Sequence, residues 1–172
     1  MDIEPDTKDW TWVLTEPCPE CGLAAGDVAP TEIAARVVAD LPRWEAVLRR
    51  ADARKRPTPT TWSPTEYACH VRDVFVLFGQ RVRLMLDEDD PMFANWDQDV
   101  TALEDDYASQ PPSEVSTQLV AAGHAIAEIF DAVPADAWDR VGRRSNGSQF
   151  TVETLGQYFL HDIVHHLHDV RD

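Results

Sequence analysis

The sequence predicts an all-α fold, a four-helix bundle behind an irregular N-terminal arm, on three observations. Four segments carry apolar residues at three- and four-residue steps, the period of a helix with one buried stripe. One of these segments opens on a complete helix-capping signature. Runs that alternate apolar and polar residues, the mark of a half-buried strand, are nearly absent. The chain has 172 residues, 44% of them hydrophobic, enough to close one core without disulfides or a structural metal. The expected division is an arm over residues 1–30 and a bundle over residues 31–172.

The arm holds Trp10, Trp12, four prolines and Cys18-Pro19-Glu20-Cys21-Gly22, with no helical period. Its tryptophans are expected to pack on the bundle. The first helix is expected at about 31–52, with Thr31 as cap and Ile33, Val37, Leu41, Trp44 and Leu48 as stripe. Pro42 lies inside that pattern and should kink or split it. The second helix, about 63–88, starts at Ser63-Pro64-Thr65-Glu66. Ser is the cap, Pro takes the first helical position and Glu the third, a capping box. Tyr67, Val71, Val74, Phe78, Val82 and Met85 form its stripe, and Asp87 to Pro91 stop it.

Residues 91–111 read as a long acidic connection with a short helix through Leu103. Pro111-Pro112-Ser113 opens the third helix, to about Val133, through Val115, Leu119, Ile126 and Phe130. Residues 134–149 read as irregular, with Asn146-Gly147 as a turn. Thr151 opens the fourth helix, which runs to about Val170 on Val152, Leu155, Phe159, Ile163 and Leu167.

Net charge is −16 at pH 7. So acidic a surface repels phosphate backbones and anionic lipid, which argues against nucleic acid and membrane as partners. No stretch reaches the ~20 apolar residues of a membrane span, and the acidic start lacks the basic region of a signal peptide. A cytoplasmic location is the resulting expectation. Three cysteines, Cys18, Cys21 and Cys69, are too few for a disulfide framework.

Histidine carries the chemical signal. Four of the six fall within eight residues: His161, His165, His166 and His168. His161 and His165 are spaced i, i+4, so both imidazoles can reach one metal from one helix face. His166 is turned by about 100° from His165. A third ligand must come from another helix, and His70, two turns into the second helix, is the candidate. Against a site stands the bland reading: helix-end histidines suit the negative end of the macrodipole without any metal. Cys18-x-x-Cys21 is one half of a zinc-ribbon pattern, a redox pair, or a tight turn with buried thiols. Cys69 points away from His70 on the helix. His124 reads as a core or rim residue. Arg81, Arg83, Arg143 and Arg144 could receive an anionic substrate, or could form surface ion pairs.

The segments Trp62-Ser63-Pro64-Thr65-Glu66-Tyr67-Ala68-Cys69-His70-Val71-Arg72-Asp73-Val74 and His161-Asp162-Ile163-Val164-His165-His166-Leu167-His168-Asp169-Val170 resemble the second- and fourth-helix signatures of the DinB-like superfamily. That superfamily includes DinB/YfiT-type proteins, bacillithiol transferases and mycothiol-dependent maleylpyruvate isomerases. The resemblance implies a bundle with a divalent metal on three side chains, one from the second helix and two from the fourth. Carried over, these are His70, His161 and His165. In some relatives the second residue of the adjacent pair is the ligand, here His166 with Asp162 one turn before it. The commoner three-histidine pattern selects His161 and His165.

Three imidazoles suit Zn²⁺ or Ni²⁺ and leave a coordination position open, the catalytic pattern. Asp73, Asp162 and Asp169 lie close enough to orient ligand rings, or are solvated surface acids. The resemblance implies a metal-dependent thiol S-transferase or isomerase acting on a small-molecule substrate. The cations are nearly all Arg, with Lys8 and Lys55 the two lysines, a bias suited to a GC-rich source and hence to mycothiol as the thiol. A hydrolase on the same site and a non-catalytic metal-binding stress protein are the alternatives. Pairing into a homodimer is what relatives imply.

Overall fold

Proline and serine set where the longest helix begins. In a computed structural model, which describes residue 3 and residues 9–171, Ser63 accepts from the Glu66 amide while the Glu66 carboxylate accepts from the Ser63 amide. This capping box opens α2 (Pro64–Asp87). The Glu66 carboxylate is also held by Arg56 in the preceding loop. The other long helices are α1 (Ile33–Leu48), α4 (Pro112–Asp131) and α5 (Val152–Asp169), with a short α3 (Gln98–Glu104) in the acidic connection. Thr151 caps α5 through the Thr154 amide.

Two local expectations change. Thr31 lies in a 3-10 turn, Pro30–Glu32, and α1 starts after it without a side-chain cap. Pro42 does not split α1. It sits on the exposed face, where the carbonyl it leaves unpaired reaches water. The helix stops at Leu48, and beyond it the Arg50 side chain bonds Asp52 and the Val170 carbonyl.

The core is aromatic at its centre. Phe159 of α5 packs on Phe75 and Phe78 of α2 and Phe130 of α4, with ring centroids 5.5–5.9 Å apart. Burying a Phe of this kind contributes about 2–3 kcal/mol. Helices approach closely at Gly123, where an added Cβ would lie 2.4 Å from Leu41 Cδ2 and 3.1 Å from Phe75 Cε2.

Strands were not expected, yet a small sheet closes the end of the bundle away from the helix-cap loop. β1 (Met92–Phe93) pairs parallel with β2 (Val141–Arg144), and β2 pairs antiparallel with β3 (Gln149–Thr151). The expected Asn146-Gly147 turn joins β2 to β3, with Gly147 at φ 99°. The arm forms 3-10 turns at Trp10–Leu14 and Ala25–Asp27 and lies along α5. Gln157 of α5 donates to the Gly26 and Val28 carbonyls at 3.2 and 3.0 Å. Among the described residues no helix is long and apolar enough to cross a membrane.

Candidate metal centres

The four-residue steps of α5 produce two adjacent stripes, 161/165 and 162/166. The structure sends them to different partners. His70, Asp162 and His166 bring one ligand atom each within 4.8 Å of one another. Cys18, Cys21, His161 and His165 do the same. The three histidines named from the sequence are thus divided: His161 and His165 lie together, and His70 lies with Asp162 and His166. The physical reason is rotation. The 162/166 stripe faces α2, whereas the 161/165 stripe faces the arm.

In the first cluster, His70 is wholly buried. Trp96 stacks on its ring at 5.3 Å and 13°, and Trp62 packs against it at 5.5 Å. Asp162 Oδ1 lies 3.3 Å from His70 Nε2 and 3.6 Å from His166 Nε2. Neither Asp162 Oδ1 nor either His70 nitrogen makes a hydrogen bond. Leaving such groups buried and unsatisfied costs about 1–3 kcal/mol each. His166 Nδ1 is 2.8 Å from Asp169 Oδ2. A carboxylate accepts, so His166 Nδ1 donates to Asp169, and Nε2 is turned toward Asp162.

Electrostatics favour the ligand forms. Burial holds the His70 pKa below its ordinary value despite Asp162. Burial opposes charge on Asp162, yet the His70, His166 and His161 imidazoles hold its carboxyl down to about 2. The result is a neutral imidazole beside a carboxylate. Tetrahedral bonds of about 2.0–2.2 Å need donors roughly 3.4 Å apart, close to the spacing observed. Two imidazoles and a carboxylate therefore fit a divalent transition ion and leave positions open.

In the second cluster, Cys18 Sγ lies 3.6 Å from His165 Nδ1. Cys18, His161 and His165 are all buried, at 1%, 4% and 8% exposure. Burial pushes the Cys21 thiol up to about 11. It also brings His161, helped by His165, down to about 4. The arm's Trp10 covers both imidazoles, with centroids 5.5 and 5.2 Å away, and stacks on Trp12. Of the arm's two tryptophans, Trp10 packs on the bundle and Trp12 on Trp10.

The remaining candidates separate cleanly. Asp73 bonds Arg72 and accepts from Tyr107, so it orients no ligand. Asp169 does. His168 belongs to neither cluster, and His124 is exposed. Cys69 Sγ faces Gln110 at 3.4 Å, and burial pushes it up to about 12. Arg143 pairs with Asp90, and Arg83 is exposed. Arg81 is buried over Phe78 and Phe93, and Arg144 lies over Phe150 and Tyr158. Burial, with Arg144 nearby, lowers Arg81 to about 10. Two surface clefts, one along Arg43, Val47 and Arg171 and one along Leu48 and Ser113, contain no residue of either cluster.

A family model of the DinB superfamily matches residues 46–170. Comparison with curated proteins finds no match. Among solved structures, YfiT from Bacillus subtilis superposes with a TM-score of 0.68 at 17% identity, over 82% of this chain and 83% of that one. It is described as "a probable metal-dependent hydrolase with an unusual four-helix bundle topology". At that identity the likeness is one of fold.

Proposed function

The chain belongs to the DinB superfamily, and from that premise we propose that it is a metal-dependent enzyme of the thiol S-transferase or isomerase type. A divalent transition ion is held between α2 and α5 by His70, Asp162 and His166. The observation that carries this reading is Asp162 Oδ1, set 3.3 and 3.6 Å from the Nε2 atoms of His70 and His166 with no hydrogen bond made.

A bound ion supplies Lewis acidity there, lowering the pKa of a thiol or water that reaches it. The protein's own residues do the rest. Asp169 keeps the His166 proton on Nδ1. Trp62, Trp96 and Tyr67 wall the site in aromatic surface. Asp162 and His166, 25% and 17% exposed, give the side of entry. Tyr158 lies one turn before Asp162 on α5 and carries the Arg144 guanidinium over its ring. Among the described residues Arg144 forms no ion pair, and its guanidinium suits an anionic electrophile. The thiol, of mycothiol type, rests on the superfamily resemblance.

A second reading has support in the donor set itself, since two histidines and a carboxylate also serve zinc hydrolases. One assay separates the readings. Protein reloaded with zinc or nickel is given a cysteine-derived thiol and a carboxylate-bearing electrophile. Conjugation or isomerisation that needs both thiol and metal, and is lost in His70→Ala, supports the proposal. Thiol-independent ester or amide hydrolysis supports the hydrolase. Tight metal binding with neither reaction identifies a sequestering protein.

A further inference from the structure

We propose that Cys18, Cys21, His161 and His165 form a second metal site, a closed Cys₂His₂ zinc site that staples the N-terminal arm to α5. It shares a helix with the first cluster but no ligand.

The arm's local structure prepares two thiols. Gly22 donates to the Cys18 carbonyl at 2.8 Å, and Cys18 donates to the Leu23 carbonyl at 2.9 Å. Gly22 sits at φ 78°, a left-handed conformation that glycine adopts without strain. The chain thus folds back within five residues, and Cys18 and Cys21 face the same helix. On that helix, His161 and His165 present two imidazoles at i, i+4.

The separation fits the metal. Tetrahedral zinc with bonds of about 2.3 Å to sulfur and 2.0–2.1 Å to nitrogen needs S···N near 3.6 Å. Cys18 Sγ and His165 Nδ1 are 3.6 Å apart. All four ligand atoms lie within 4.8 Å of one another. An independent observation points the same way: His161 Nε2 is buried without a hydrogen-bond partner, in a residue 4% exposed. His165 Nε2 faces Glu20 and Asp169 carboxylate oxygens at 3.6 and 3.7 Å, which puts acidic groups beside the ring nitrogen that Cys18 does not face.

Charge and closure argue for a structural role. Binding releases one proton from each thiol to solvent, and Zn²⁺ with two thiolates is neutral overall, as a buried site requires. Four protein donors leave no open position, and Trp10 covers the imidazoles. The first cluster, with three donors and an exposed edge, has the opposite character.

The test is a cobalt titration of the metal-stripped, reduced full chain. We expect two equivalents bound, one of them giving the intense near-ultraviolet band of thiolate-to-cobalt charge transfer. Replacing both cysteines (Cys18→Ser with Cys21→Ser) should remove that band and one equivalent while the other remains. His166→Ala should keep the band and lose the other equivalent. Hydrogen exchange of arm amides 10–28 should slow on zinc addition in the wild-type chain and in His166→Ala, but not in the cysteine variant. Absence of the band from the wild-type chain, whatever its total uptake, overturns the proposal without reference to any variant. Loss of both equivalents in the cysteine variant, with its helical spectrum intact, also overturns it, because the clusters would then be one site. A band with a single equivalent supports this site and counts against the first.

Discussion

His165 and His166 are neighbours in sequence, yet their rings lie 6.1 Å apart at 75° and face different clusters. Asp169 reaches toward both, with Oδ2 2.8 Å from His166 Nδ1 and Oδ1 3.7 Å from His165 Nε2. One helix thus contributes to two clusters because successive residues turn by about 100°. The 162/166 stripe meets α2, and the 161/165 stripe meets the arm.

Asp169 makes the shared point testable. Asp169→Asn removes the charged acceptor that fixes the His166 tautomer. Metal affinity at the α2–α5 site should fall about 10–100-fold, measured by chelator competition, with the metal-free far-ultraviolet spectrum unchanged. An unaltered affinity would mean that Asp169 is a surface acid.

His70→Ala tests whether the first site joins two helices. Zinc at about one hundred times its dissociation constant should stabilise the wild-type chain by about 2.7 kcal/mol, a rise of roughly 5–10 °C in Tm. In a Cys18→Ser/Cys21→Ser background, which isolates the first site, that rise should vanish with His70→Ala. A rise that survives would place the metal elsewhere.

The capping residue Glu66 gives an acid-side prediction. Burial works against its charge, but Arg56 and the Ser63 amide hold its pKa below the ordinary 4.5. A lowered folded-state pKa gives stability that is full above the unfolded value and is lost as pH falls through the folded one. Glu66→Gln removes this titration. The variant should be less stable by about 2–3 kcal/mol at neutral pH, and the gap should narrow below about pH 4.5. Melting curves from neutral pH downward check this, and a constant gap would contradict it.

That cap was legible in the sequence because the reciprocal Ser63–Glu66 bonds span only three residues. The four long helices were legible because their stripes are local and periodic. The sheet was not: β1 has two residues, and its partner is some fifty residues away, Met92 against Arg143. The choice of stripe facing His70 was not legible either, since a rotation of one residue depends on how α5 packs on α2. Cys18 and His165 are 147 positions apart, and the arm has no period to place it. The signal available was chemical: a Cys-x-x-Cys turn and a spare i, i+4 histidine pair in one chain.

Gly123 tests the helix packing beneath the sites. Alanine gains about 1 kcal/mol in helix propensity. Its Cβ, however, would meet Leu41 Cδ2 at 2.4 Å, and overpacking costs about 1–3 kcal/mol. Leu41 is buried and cannot retreat into solvent. Gly123→Ala should therefore lower Tm by about 2–4 °C, and an unchanged or raised Tm would show that α1 and α4 separate easily there.

A metal held by His70, Asp162 and His166 would bridge α2 and α5. Anomalous diffraction at the metal's absorption edge, from crystals grown with zinc, tests it most directly. An anomalous peak is expected within about 2.0–2.2 Å of donor atoms on all three residues. A peak bound by His161 and His165 together with His70, or no peak among His70, Asp162 and His166, would contradict it.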